Sequence, residues 1–364
     1  MTAQSVQGVP GESSGLLEVI RRVEESPLQD LVAVDITDVE VQMDHLLGPE
    51  TTADSLYRRW ETQQWAVSAL DFTQDKKDWA GLSEGLQLAY RRTMTLFFIG
   101  EQAVTDTLSP LLYAAPREDE RIFLATQLAD EARHTVFFQR FFAEVLGLQG
   151  GLSTALEAVR PRTVAGFRKI FDEELAGAVD LVRREPADER AWVEAVVTYH
   201  LVIEGYLALA GQHTLLTQFR KVGILPGFTA GFTAVARDES RHIGFGVMAL
   251  RRRVTEEPEM ARVITRKVLQ LLEPAVYTGV APDRRLAIDD PTSIPAMFRV
   301  NPLEAREFAV GQLTKRVRAC GISEAAAGEI GDAMRAHYDR GWEEYERNHG
   351  VRHPVRWYQD GSLN

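Results

Sequence analysis

Two pentapeptides in this chain are nearly the same. Asp130-Glu131-Ala132-Arg133-His134 and Asp238-Glu239-Ser240-Arg241-His242 agree at four of five positions. Each carries a glutamate and a histidine three residues apart. In a helix those two positions share a face, so a carboxylate and an imidazole can reach one ion. The 32 Glu and 8 His of the chain would give roughly 0.7 Glu-x-x-His pairs by random placement of the motif. A third copy, Glu346-x-x-His349, sits at a charged C-terminal end and reads as that chance event. The longer pattern, found twice, does not.

A glutamate precedes each motif. Glu101 lies 30 residues before Glu131, in the apolar run LFFIGEQAVT, and Glu204 lies 35 residues before Glu239, in YHLVIEGYLALAG. Burying a lone carboxylate is costly, and a metal is the usual remedy. Four-helix carboxylate sites take one Glu from each of two helices and Glu-x-x-His from each of the other two. Glu101, Glu131, His134, Glu204, Glu239 and His242 therefore predict a two-metal site. Oxygen and imidazole donors without thiolate suit iron or manganese. Asp130 and Asp238 are placed to orient the histidines, because a metal-bound imidazole donates its other N–H to an acceptor. Arg133 and Arg241 read as ordinary surface ion-pair formers, and His200 as packing or support behind the site.

Helices must carry these residues. Apolar residues recur at helical spacing near 52–67, 82–114, 118–147, 161–184, 187–219, 224–255 and 257–278. Breaks fall at Pro110 and Pro116, at Gly147–Gly151, at Pro186 and at Pro226-Gly227. A loop near 281–302 carries four prolines, and two more helices follow near 303–319 and 322–348. No segment alternates as a strand. Long helices joined by short loops predict an all-α antiparallel bundle. Residues 1–50 read as an extension, unstructured over 1–15 and mixing a short helical patch with loop after that. Residues 51–280 form the di-metal domain, and 281–364 pack on it as loop, helices and a tail without helical pattern after Gly350.

The whole chain narrows the function classes. It has 364 residues, 45% hydrophobic and 26% charged, the profile of a globular protein. A net charge of −12 argues against nucleic acid, whose phosphates need clustered Lys and Arg. The single cysteine, Cys320, forms no internal disulfide and reads as a small buried residue. No signal-peptide pattern and no run of about 18 apolar residues is seen, so the cytoplasm is the expected location.

On these residues the chain resembles the ferritin-like di-metal carboxylate superfamily, which includes the ribonucleotide reductase small subunit and the soluble acyl-carrier-protein desaturases. Over roughly 52–255 it is most similar to the ligand-binding oxidases related to the reductase subunit. The segment WETQQWAVSALDF resembles the early Trp-to-Asp motif of that subunit, which implies that Trp65 sits near Asp238, and Asp238 near His134. The radical-bearing Tyr of ordinary reductases is replaced by Phe138. In the oxidases, a Val three residues after the first Glu and a Tyr five before the later one become joined by an ether bond; here these are Val104 and Tyr199. Val104 shares the Glu101 face. Tyr199 would lie about 140° from Glu204 on an α-helix, so a local π-bulge is required. The resemblance implies Glu101, Glu131 and His134 at the first site, Glu204, Glu239 and His242 at the second, and Glu131 and Glu239 as bridges. It further implies manganese and iron (or two irons), dioxygen, a long-chain fatty-acid-like ligand and a homodimer. The alternatives are an acyl desaturase or N-oxygenase with the same ligands, or a radical-generating Mn/Fe reductase subunit docking through Trp357 and Tyr358. Iron storage fits poorly, because the chain is much longer than one four-helix bundle needs.

Overall fold

A computed structural model describes residues 10–285 and 300–361. The described residues form helices and turns, without strands. Most of the proline-marked loop at 281–302 lies outside the described residues.

Helices α1 (Pro10–Glu25) and α2 (Ile36–Leu46) occupy the N-terminal region, joined by a 3-10 turn at Leu28–Ala33. Helix α1 reaches into the stretch expected to be unstructured, of which residues 1–9 lie outside the described residues, and helix extends well beyond the short patch expected over 16–50. Leu31, Ile36, Val39, Met43 and Leu46 are buried at helical spacing, and Asp35 caps α2 by accepting from the Thr37 N–H at 2.9 Å. Pro27 and Gly48 mark the ends of elements rather than their absence. Helix α3 (Ala53–Thr62) starts with a capping box between Thr52 and Ser55 and stops five residues before the expected 67. The chain then leaves the helix, which frees Trp65 to turn inward. Helix α4 (Thr73–Gly81) was not apparent in the sequence pattern.

The core helices follow. Helix α5 (Glu84–Ala114) begins at the Ser83 cap, and α6 (Glu118–Glu144) begins with three acidic residues that favour a helix N-terminus electrostatically. A short helix α7 (Gly151–Val159) leads to α8, residues 165–184, whose middle turn at Lys169–Leu175 is π-helical. Helix α9 (Glu189–Val222) is capped by Asp188 and is π-helical over Val197–Ala208. It is long and apolar enough to cross a membrane, yet most of its apolar stretch is buried in the core.

Helix α10 (Pro226–Glu256) is the central element. Every residue from Gly227 to Leu250 is buried. Its first N–H groups are capped from α4: the Asp75 carboxylate accepts from Gly227 N and Phe228 N at 2.9 and 2.7 Å. Glycines let neighbours approach. A β-carbon at Gly231 would lie 2.4 Å from the Phe137 ring, and one at Gly246 would lie 2.2 Å from the His200 side chain. Helices α5, α6, α9 and α10 pack as the inner four. Helices α11 (Met260–Val280), α12 (Pro302–Ala319) and α13 (Glu324–His349) cover one side. The tail, expected to lack a helix, ends in the short α14 (Val355–Gln359), held by Arg356 on Glu346 at 2.9 Å. Cys320 is buried, and burial pushes its thiol up to about 12.

Candidate metal centre

The six expected residues meet. Glu101 comes from α5, Glu131 and His134 from α6, Glu204 from α9, and Glu239 and His242 from α10. Their donor atoms form two groups, each within 4.8 Å: Glu101, Glu131, His134 and Glu239 in one, Glu131, Glu204, Glu239 and His242 in the other. Glu131 and Glu239 belong to both, so they are the carboxylates able to bridge two ions.

The imidazoles are arranged alike. His134 Nδ1 faces Glu101 at 3.3 Å, Glu239 at 3.5 Å and Glu131 at 3.7 Å. His242 Nδ1 faces Glu131 at 3.2 Å and Glu204 and Glu239 at 3.4 Å. The other nitrogen of each ring meets an aspartate of the opposite motif. His134 Nε2 is 3.2 Å from Asp238, and His242 Nε2 is 3.2 Å from Asp130. An aspartate there fixes the proton on Nε2 and leaves the Nδ1 lone pair for an ion.

The charge pattern fits a cation pair. Burial pushes Glu101 up to about 8 and Glu204 well above the ordinary carboxylate range. Burial acts the same way on Glu131, but His134 and His242 outweigh it and hold the group well below that range. Burial lowers both imidazoles, yet the surrounding carboxylates raise them well above their usual value. Glu204 Oε2, Glu239 Oε2 and His242 Nδ1 are buried with no formed hydrogen bond among the described residues. Unsatisfied carboxylate oxygens and an imidazole nitrogen whose proton an ion can displace, gathered in a dry interior, are what divalent ions satisfy.

Behind the ligands lies a charged layer. Arg241, expected at the surface, is fully buried. It donates to Asp130 at 2.8 Å and Asp238 at 2.7 Å, and also to Gln63. Arg133 is mostly buried and donates to Asp130 at 2.8 Å. Both arginines sit three residues after an aspartate on the same helical face, and the two buried carboxylates need cations. Burial would raise Asp238, but Arg241 and His134 hold it strongly down. Trp65 Nε1 donates to Asp238 at 2.8 Å, and its ring stacks near His134 with centroids 6.5 Å apart. Trp60, which the sequence did not single out, donates to Asp130 at 3.0 Å. Nothing in the sequence pairs Trp60 with Asp130, 70 residues away, until the fold brings them together.

The π-helical turn carries Tyr199 and Glu204. Hydrogen bonds closed five residues apart bring position −5 back over the same face. Tyr199 accordingly donates to Glu131 at 2.7 Å. His200 is fully buried, and burial holds it neutral, down to about 3. Gln127, one turn before Glu131 and also missed in the sequence, contacts Tyr199, Glu204 and His200. A glutamine in an apolar helix carries no spacing signal. Phe138 lies among Phe97, Phe98, Phe137, Phe228 and Phe232, so no hydroxyl occupies that position.

A cavity of about 430 Å³ opens beside the cluster. Glu101, Val104, Glu131, Tyr199, Glu204 and Glu239 line its inner end. Apolar walls come from Leu96, Phe97, Val164, Phe167, Phe171 and Ile203, and its far side reaches Tyr338, Trp342 and His353. That volume falls in the range of small-molecule pockets.

The chain matches the family model of the ribonucleotide reductase small chain over residues 50–278. Among solved structures, it is similar to a variant of an R2-like ligand-binding oxidase with an anaerobically reconstituted Mn/Fe cofactor. The identity is 26% and the TM-score 0.64, over 75% of this chain and 94% of that one. An R2-like ligand-binding oxidase with an aerobically reconstituted Mn/Fe cofactor gives 25% identity and 0.64, over 75% and 93%.

Proposed function

The chain belongs to the ribonucleotide reductase small-chain family, and on that premise we propose that it is a dioxygen-activating oxidase holding one manganese and one iron ion, or two irons. Glu101, Glu131 and His134 would hold the first ion, and Glu204, Glu239 and His242 the second, Glu131 and Glu239 belonging to both donor groups. The Mn/Fe cofactors of the similar oxidases and the all-oxygen-and-imidazole donor set support this reading. The metal pair, when bound, supplies the redox chemistry that reduces dioxygen.

The chain's own residues do the rest. Asp238 and Asp130 keep the histidine protons on Nε2. The apolar cavity excludes water and takes a long-chain fatty-acid-like ligand, its carboxylate toward the cluster. Val104 and Tyr199 are the pair that reacts: the Val104 Cβ–H and Tyr199 O–H bonds break, and a Cβ–O ether bond forms. Two electrons and two protons leave the side chains for dioxygen. Full reduction to water takes two further electrons, which bound metals would supply, and two protons from solvent.

One observation carries the proposal. The π-helical turn places Tyr199 on the cluster, 2.7 Å from Glu131, in the cavity that Val104 lines. After aerobic loading with manganese and iron, the intact protein is expected to be two mass units lighter, with the Val104 and Tyr199 peptides joined and a fatty acid extracted on denaturation. An unshifted mass with separable peptides would leave the desaturase or N-oxygenase alternative in its place.

A further inference from the structure

We propose that Gln127 is the positioning residue that orients the Tyr199 oxygen toward Val104, and that His200 locks Gln127 in place. The inference rests on the cross-link reading above. Gln127 is fully buried. Its amide nitrogen lies 3.1 Å from the Tyr199 oxygen and 3.0 Å from Glu204 Oε1, and its amide oxygen lies 3.1 Å from His200 Nε2. A primary amide has two hydrogens and one accepting oxygen. Here one hydrogen is directed at the phenol and one at the carboxylate, and with the His200 proton on Nε2 the oxygen accepts from the imidazole.

Only one orientation of the amide works. Reversed, it would set its oxygen against the Glu204 carboxylate, two acceptors facing each other once Glu204 gives up its proton to bind a metal. His200 enforces the correct one. A neutral imidazole has a single N–H, and placed on Nε2 it meets the Gln127 oxygen. The ring has little room to leave. A β-carbon at Gly246 would lie 2.2 Å from the His200 Cβ, so α10 closes on it from one side. The ring packs edge-on against Tyr199, 4.5 Å between centroids, and beside Phe245 at 5.5 Å.

Tyr199 is thereby aimed. A phenol oxygen has one hydrogen and two lone pairs. The hydrogen points to Glu131 at 2.7 Å, and Gln127 occupies one lone pair. The other is left for the cavity that Val104 lines. When the O–H and Cβ–H bonds break and the Cβ–O bond forms, the electrons and protons pass to dioxygen as above. The Gln127 N–H is donated to the same oxygen before and after, so the aim survives the loss of the hydrogen.

The test uses full-length wild type, Q127L, H200L and H200Q. Ultraviolet resonance Raman of the metal-free proteins, each with Y199F subtracted in its own background, isolates the Tyr199 bands. Mass spectrometry after aerobic Mn/Fe loading follows the cross-link. In Q127L and H200L the Tyr199 bands are expected to change from donor-and-acceptor to donor only. The cross-link is expected to form about tenfold more slowly, the effect of one lost hydrogen bond, with two metals still bound per chain. H200Q, which keeps an N–H for the Gln127 oxygen, is expected to retain both wild-type signatures. Tyr199 bands in Q127L identical to wild type, or an undiminished cross-linking rate, would overturn the proposal. A wild type that never loses two mass units sinks the cross-link reading instead. The metal-free spectra, which need no oxygen or metal, then decide alone whether Gln127 orients Tyr199.

Discussion

Each histidine of the centre is held by an aspartate from the other motif, so damage crosses between the two halves. Asp238 precedes Glu239 in sequence but serves His134, 3.2 Å away. D238N is expected to weaken the site of His134 more than that of His242, by 10–100-fold in affinity, the usual effect of losing such a partner. D130N should show the opposite preference. Metal titration followed by element analysis reads the difference; equal loss at both sites would refute the crossed support. Protons also compete with metal here. Burial raises Glu101 to about 8, so below that pH its carboxyl holds a proton an incoming ion must displace. Loading is therefore expected to strengthen as pH rises from 6 to 8, read as the apparent Kd at fixed total metal. A flat profile would contradict it. At this scale the sequence was most legible: a repeated Glu-x-x-His in an apolar helix declares its chemistry. Arg241 was not, because nothing in DESRH says which side chain turns inward until Asp130 is known to face it.

Helix registers decide the rest. The segment 161–184 was legible as a helix, but its π-helical turn was not, since a register shift confined to seven residues is too short to stand out in the apolar spacing. In α9 the requirement was visible only as a conflict, Tyr199 and Glu204 lying too far apart on an ideal helix, and the π-helical turn resolves it. Trp65 illustrates the converse. Apolar residues continued the α3 pattern to 67, yet the chain leaves the helix after Thr62 because the Trp65–Asp238 contact outweighs local propensity. The N-terminal helices were legible only as a short patch because α2 and the turn before it are buried against α10, about 200 residues away. Gly205 tests the π-helical turn directly. A methyl there would meet Arg316 Cδ at 2.8 Å and His200 O at 2.9 Å. G205A is expected to destabilise the protein by about 1–3 kcal/mol and to lower second-site metal occupancy, measured by thermal unfolding and metal counting. Wild-type values for both would show that the turn tolerates the methyl.

The molecule as a whole closes the cavity with its C-terminal part. His353, buried against Trp342 and Tyr345, is kept neutral by burial, down to about 4. Its folded value lies below the unfolded 6.5, so the unfolded chain binds the extra proton. Stability is therefore present above about pH 6.5 and lost as pH falls toward 4. H353F should flatten the acid side of the stability profile between those limits, in urea unfolding at several pH values. His200 contributes in the same direction, so the slope is expected to shrink without vanishing. An unchanged slope would mean that His353 is not sheltered. Metal should act in parallel: ions that bind only the folded chain raise its stability by about 4 kcal/mol at a thousandfold excess over Kd, and chelation should lower Tm accordingly.

Cys320 gives the molecule a built-in clock. The only thiol in the chain is sealed in the interior and shifted far from reactivity at neutral pH. A disulfide reagent added to the intact enzyme can label it only when the helices around it come apart. Where labelling outpaces reclosing, its rate reports how often this region opens, and comparing apo with metal-loaded protein would show how strongly the ions fasten it, without any engineered probe.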